Sequence, residues 1–390
     1  MSDMEIDFAA ILLEVIERNA SDLHLTAGAR PTVRMRGALV ALEDFPVLKP
    51  IDTRELIYSI LTSDQRQRLE TDWQLDFAYS IPGHGRFRVN AYFQRGALSA
   101  AFRRIPADLA NIDSLGLPAV VHEWVNKPRG LILVTGPTGS GKSTSLAAVV
   151  DAINETRDDH ILTIEDPIEF LHGHKRCLVN QRELGSDAAS FALGLKAALR
   201  QDPDVILVGE MRDMETIGTA VTAAETGHLV FATLHTQDAP QTIDRIIDVF
   251  PGAQQAQIRT QLSVALQGIM TQQLVPTADG SGRVAACEVL VPTPAVRNLI
   301  REGKTHQIYS VIQTGSSFGM QTMDSALAAL VRAGKITRSM AESRAAVPAE
   351  LTRLLGDAGG TGGMLAAPAL TGASNGSGAS SSAPPPGRGA

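Results

Sequence analysis

The chemistry of this chain is concentrated in Gly136, Pro137, Thr138, Gly139, Ser140, Gly141, Lys142, Ser143 and Thr144, which match the spacing G-x-x-x-x-G-K-[ST] without a misfit. Glycines allow the tight turns that aim consecutive backbone N–H groups at phosphate oxygens. The first turn of a following helix adds its positive dipole end. Lys142 is then placed to reach the β- and γ-phosphates of ATP, and the Ser143 hydroxyl to sit on Mg²⁺. The flanks agree: residues 131–134 are an apolar run of strand type and residues 143–150 continue as a helical run.

Phosphoryl transfer also needs carboxylates beside the loop. Val205, Ile206, Leu207 and Val208 form an apolar run that ends in Gly209-Glu210, the arrangement that holds a metal through its waters; a simple surface pair of Glu210 with Arg212 is the alternative. Glu165, Asp166 and Glu169 follow the run 161–164, and three carboxylates so close repel unless a cation or a proton relay uses them. One of them is suited to deprotonate the attacking water. His228 and His235 flank the run 229–232, where they could sense the γ-phosphate or serve the strand structurally.

These groups need a frame. From about residue 130, short continuous apolar runs alternate with helical stretches, the pattern of a parallel sheet covered on both faces. Before it the period differs. Phe8, Ile11, Leu12, Val15 and Ile16 fall at helical spacing. Val33 and Met35, then Trp73, Leu75, Phe77, Tyr79 and Ile81, then Phe87, Val89 and Ala91, alternate with polar neighbours as half-buried strands do. The expected organisation is α/β overall: a small α+β domain over residues 1–105, a Pro-containing linker over 106–118 serving as hinge, and an α/β domain over 119–355. Residues 356–390 are dominated by Gly, Ala, Ser and Pro and are expected to stay disordered.

Composition narrows the functional class. The chain of 390 residues has 35 Lys and Arg against 42 Asp and Glu, a formal charge of −7, which argues against a nucleic-acid-coating protein. Two cysteines, Cys177 and Cys287, cannot build a disulfide framework or a four-cysteine zinc site, and suit a reducing cytosol. The acidic first residues lack a signal-peptide pattern, and no run approaches the ~20 apolar residues that span a bilayer, so direct membrane insertion is not expected.

The motifs GPTGSGKST, ILTIEDPIEF, NQRELG, LVGEMRDMETI and TGHLVFATLHT, in this order, resemble those of the PilT family of type IV pilus retraction ATPases, within the larger secretion-ATPase superfamily. The resemblance covers residues 4 to 345 and implies a PAS-like N-terminal domain followed by a RecA-like P-loop ATPase domain. It implies that Lys142, Ser143 and Thr144 are Walker A residues, that Glu210 is the Walker B acid, and that Glu169 is the catalytic glutamate, supported by Glu165 and Asp166. His228 and His235 fit the family's His box, and Arg88 and Arg103 match best in position the N-terminal arginines that bind nucleotide phosphates, with Arg86, Arg95 and Arg104 close by and an ordinary outward place on a strand as the alternatives. The stretch Ala295-Val296-Arg297-Asn298-Leu299-Ile300 resembles a motif associated with retraction, and reads by itself as an amphipathic helix with Ala295, Val296, Leu299 and Ile300 on one face.

The implied protein is a cytoplasmic homohexamer using ATP and Mg²⁺. It would act at the cytoplasmic membrane through an inner-membrane pilus platform protein, with a paralogous retraction ATPase as a further partner. The rivals are a pilus-assembly or type II secretion ATPase, a non-hydrolysing regulatory subunit, and a nucleic-acid translocase, which the acidic balance disfavours.

Overall fold

Helix α1 (Phe8–Glu17) begins where Asp7 caps it, the Asp7 carboxylate accepting from Ala10 N at 3.2 Å, and it buries Ile11, Leu12 and Val15. Strands β1 (Asp22–Leu25), β2 (Thr32–Met35) and β3 (Ala38–Ala41) follow, then helices α2 (Pro50–Ser59) and α3 (Ser63–Asp72). The last of these opens on a capping box: Thr62 Oγ1 accepts from Gln65 N, and Gln65 Oε1 accepts from Thr62 N. Strands β4 (Gln74–Ile81), β5 (Gly85–Gln94) and β6 (Ala97–Ile105) complete a six-stranded antiparallel sheet in the order β3-β2-β1-β6-β5-β4. This computed structural model describes residues 6–106 and 109–356.

Alternation places Phe87, Val89 and Ala91 on the buried face of β5, where Phe87 meets Phe102 edge to face with centroids 6.3 Å apart. Burying each such large side chain stabilises by roughly 1.5–3 kcal/mol. Trp73 departs from the alternation expected of it. It takes a left-handed φ of 61° at the end of α3 and leaves its indole exposed, so the strand starts one residue later.

The second domain opens with helix α4 (Val120–Val125) and strand β7 (Gly130–Thr135), and continues through α5 (Lys142–Thr156), β8 (His160–Glu165), β9 (Leu178–Glu183), α6 (Phe191–Ala198), β10 (Val205–Val208), α7 (Met214–Thr226) and β11 (Leu229–Leu234). Helices α8 (Ala239–Asp248) and α9 (Gly252–Ala265) lead to the hairpin β12 (Leu266–Pro276) and β13 (Arg283–Leu290). The seven-stranded sheet runs β13-β12-β7-β11-β10-β8-β9, parallel throughout except for β13. Every residue of β7, β10 and β11 is buried, as continuous apolar runs require between two helical layers. This is the expected architecture: a small mixed domain, then a P-loop sheet with the phosphate loop at the C-terminal edge of its central strands.

Helices α10 (Pro294–Arg301), α11 (Ile308–Thr314), α12 (Met323–Arg332), α13 (Arg338–Glu342) and α14 (Pro348–Leu355) close the described chain. In α10, Val296 and Ile300 are buried, Leu299 is half-buried and Ala295 is exposed, so the apolar face is narrower than the sequence pattern suggests. Arg297 points inward, donating to the Ser263 and Val264 carbonyls at the end of α9. Ile112 and Leu117, inside the segment read as linker, are buried against Val121 and Trp124 in the second domain's core. Residues 357–390, read as a disordered tail, lie outside the described residues.

Candidate nucleotide site

The loop between β7 and α5 is shaped by three glycines at positive φ: Gly136 at 136°, Gly139 at 78° and Gly141 at 88°. At Gly136 a Cβ would meet the Gln272 carbonyl oxygen at 2.3 Å, so only glycine fits against β12. Lys142 is the first residue of α5, and its Nζ donates to the Gly136 and Pro137 carbonyls at 2.8 and 3.1 Å. Burial pushes the Lys142 ammonium below its ordinary value, while the nearby Glu210 and Glu169 carboxylates act in the opposite direction.

Gln272, on β12, braces this loop and was not singled out by the sequence. Its Nε2 donates to Ser140 O at 2.8 Å and its Oε1 accepts from Ser145 Oγ at 2.8 Å, both buried. The available signal was a glutamine pair inside a strand of apolar neighbours, since a buried amide must find partners. Ser140 Oγ, also buried, has no partner among the described residues. Glycine-shaped backbone, a caged lysine and an unpartnered hydroxyl fit a polyphosphate. For Mg²⁺ the donors of suitable chemistry are Ser143, beside the loop lysine, and Glu210, which follows β10, the next strand but one from β7.

Glu210 is fixed from two sides. Thr233 Oγ1 of β11 donates to Gly209 O at 2.5 Å, and Gly209 passes so close to β8 that a Cβ would lie 3.2 Å from Ile164 O. The Glu210 carboxylate contacts Arg212 Nε at 2.5 Å and His235 Nε2 at 3.1 Å. Burial works to raise its carboxyl, but Arg212 and His235 outweigh that and hold it below the ordinary range. The geometry shows Glu210 paired with Arg212 and near enough to Lys142 for its charge to act on the ammonium.

The three carboxylates at and after the end of β8 separate. Burial pushes the Glu165 carboxyl above its ordinary range, against hydrogen bonds from Thr163 Oγ1 at 2.6 Å and Gln181 Nε2 at 3.2 Å. Glu165 and Ser143 border one small cavity of about 30 Å³, with room for roughly one water. Asp166 is exposed. Glu169 is exposed in a different place, a cleft of about 290 Å³ between the two domains that it shares with Arg88 and Arg103.

Arg88 and Arg103 are direct cross-strand neighbours on β5 and β6. Like charges opposite each other destabilise an antiparallel pair, a cost that an anion between them removes. Arg103 Nε also donates to Asp22 Oδ1 at 3.0 Å while its side chain is 72% exposed, which leaves most of the guanidinium free. The two histidines do not come together. His235 reaches Glu210, whereas His228 precedes β11 at the opposite sheet edge, its Nδ1 3.0 Å from Ala223 O at the end of α7.

The model of the type II/IV secretion system protein family matches residues 2–339. The chain belongs to that family. Among its members, a Pseudomonas aeruginosa protein named "type IV pilus retractation ATPase PilT" is 51% identical over 343 residues, covering 88% of this chain and 99% of that one. A second from the same organism, "type IV pilus ATPase PilU", is 42% identical over 85% of this chain and 87% of its own length. Among solved structures, one described as the pilus retraction motor PilT with bound ADP superposes with a TM-score of 0.83 at 53% identity, covering 90% of this chain and 100% of that one. The family match spans both domains, and so takes in the N-terminal arginines as well as the phosphate loop.

Proposed function

We propose that this chain is the ATP-hydrolysing subunit of a homohexameric motor that retracts type IV pili. The observation that carries the reading is the cleft that Glu169, from the loop after β8, shares with Arg88 and Arg103 of the other domain, with Phe170 lining both this cleft and the small cavity at Ser143. The alignment with the relative named for pilus retraction, over 99% of its length, supplies the direction of work.

In this reading the loop amides from Gly136 to Thr144 hold the triphosphate, and Lys142 exchanges its own loop carbonyls for the β- and γ-phosphate oxygens. Arg88 and Arg103 close from the N-terminal domain onto charge that develops on the γ-phosphoryl group. Glu169 orients a water and takes its proton as the water oxygen attacks γ-phosphorus and the bond to the β–γ bridging oxygen breaks. Ser143 and Glu210 are the residues that would hold Mg²⁺, which would supply neutralisation of phosphate charge. His235 reads the state of Glu210 across their 3.1 Å contact.

Loss of the γ-phosphate removes the contacts that favour domain closure, so each subunit opens after turnover. In a ring of six, successive closures would move the membrane platform protein at the pilus base, from the cytoplasmic side. No helix among the described residues is long and apolar enough to cross a membrane, so attachment through such a partner is the consistent arrangement. Deleting the gene in its own host tests the direction: excess surface pili with no twitching is the expected result, and loss of surface pili contradicts it.

A further inference from the structure

We infer that Arg86 and Glu183 form an interdomain latch that positions the loop carrying Glu169, so that hydrolysis senses where the N-terminal domain sits. The inference rests on the reading of Glu169 as the group that activates water. Arg86 Nη2 donates to Glu183 Oε2 at 2.9 Å, and the Glu183 side chain is only 5% exposed. Among the described residues it is the one ion pair that joins residues 6–106 to residues 109–356.

The same Glu183 oxygen accepts a second bond, from the buried backbone N–H of Ile168 at 3.2 Å. Ile168 directly precedes Glu169. Glu183 ends β9 in register with Glu165 at the end of β8, and its own N–H is tied to Asp187 Oδ2 at 2.9 Å. The carboxylate is thus a fixed post, with the catalytic loop on one side and the other domain's arginine on the other.

Arg86 is two residues from Arg88 on β5, so both side chains project from the same face of the sheet. Whatever motion brings Arg88 to the Glu169 cleft also brings Arg86 to Glu183. Arg86 grips with one nitrogen only: Nη1 donates to Ser80 Oγ at 3.1 Å, and Nε is buried without a partner among the described residues. A bidentate clamp would hold more strongly. A single contact with an unspent donor suits a bond that is made and broken. When Arg86 withdraws, Glu183 loses its counter-charge in a buried place, and its bond to Ile168 N–H reorganises with it.

The test uses the full-length protein. Arg86→Ala leaves a buried carboxylate without its cation and risks misfolding, so Glu183→Gln accompanies it; glutamine keeps an oxygen for Ile168 N–H and removes the charge. Turnover is read by phosphate release and nucleotide affinity by a fluorescent ADP analogue. The latch predicts a roughly ten- to hundred-fold fall in kcat for each single variant, with little change in ADP affinity. It also predicts partial recovery in Arg86→Lys, and a double variant no slower than the slower single one. Hydrogen–deuterium exchange gives a readout independent of catalysis: the peptide containing Ile168 exchanges faster in Arg86→Ala. Unchanged exchange there, or losses in kcat that multiply in the double variant, overturns the latch. Faster exchange in a protein whose wild type hydrolyses no ATP upholds the latch and removes the proposed function instead.

Discussion

Glu210 Oε1 lies 3.1 Å from His235 Nε2, joining the ends of β10 and β11 beside the phosphate loop. The same oxygen meets Arg212, whose side chain is 74% exposed. An exposed cation adds little stability through such a pair, whereas in the proposed reading the histidine responds to the γ-phosphate through Glu210. His235→Ala is expected to lower kcat at least about tenfold, with a smaller effect on KM for ATP. Arg212→Ala is expected to change kcat by less than about threefold. Steady-state phosphate release on both variants decides the matter, and the reverse ranking contradicts a sensing role for His235.

The loop and its brace give a second expectation. Gly136→Ala drives a methyl group to 2.3 Å from the Gln272 carbonyl at a φ of 136°, so activity should vanish together with nucleotide binding. Gln272→Ala removes the bonds to Ser140 O and Ser145 Oγ and should destabilise by ~1–3 kcal/mol. Melting curves with and without ADP check it: the Gln272 variant should lose part of its ADP-induced rise in Tm, and a full rise contradicts the bracing role.

Arg88→Ala and Arg103→Ala should each slow kcat by at least about tenfold, because each removes a cation from the cleft that holds Glu169. Since Arg88 and Arg103 repel across the strand pair, neutralising Arg88 should leave the fold as stable or slightly more so, whereas Arg103→Ala also gives up the bond to Asp22 and should offset that gain. Slower turnover with an unchanged or raised Tm is therefore the expected combination for Arg88→Ala. A fall in both would mark Arg88 as structural.

Glu288 supplies a pH dependence. Buried on β13, with Ala239 N donating to it at 2.9 Å, its carboxyl is pushed by burial from 4.5 up to about 7, with Asp238 and Asp324 adding to the rise. Between these values the folded chain holds a proton that the unfolded chain has released. Stability from this group is thus complete below about pH 4.5 and is lost as pH rises through 7. Glutamine keeps an acceptor for Ala239 N–H without the charge. Relative to wild type, Glu288→Gln should gain stability towards pH 8, on the order of 3 kcal/mol at most, measured by denaturant titration across pH 5–8. A constant difference across that range contradicts it.

How far the sequence reached depends on how local each feature is. The phosphate loop and the strand ending in Glu210 were legible because their chemistry lies within nine and six consecutive residues. The antiparallel sheet was legible from Phe87, Val89 and Ala91, whereas α2 and α3 were not, since their apolar faces are short and their start signals, Pro50 and the Thr62–Gln65 box, stand among polar residues. His228 and His235 look alike in sequence, yet the six residues of β11 between them hold them roughly 23 Å apart, which assigns only one to the loop edge. Gln272 was hidden because its partners lie far away in the chain, and the Arg86–Glu183 pair because it exists only once two domains meet.

The central claim is that Glu169 activates the water that cleaves ATP held at Lys142. Phosphate release by wild type and by Glu169→Gln, at saturating ATP and with nucleotide binding measured on the same samples, tests it most directly. Steady turnover in the parent and a loss of about 10²-fold or more in the variant, with ATP still bound, is the predicted result. A variant that binds ATP and releases phosphate as fast as its parent contradicts it.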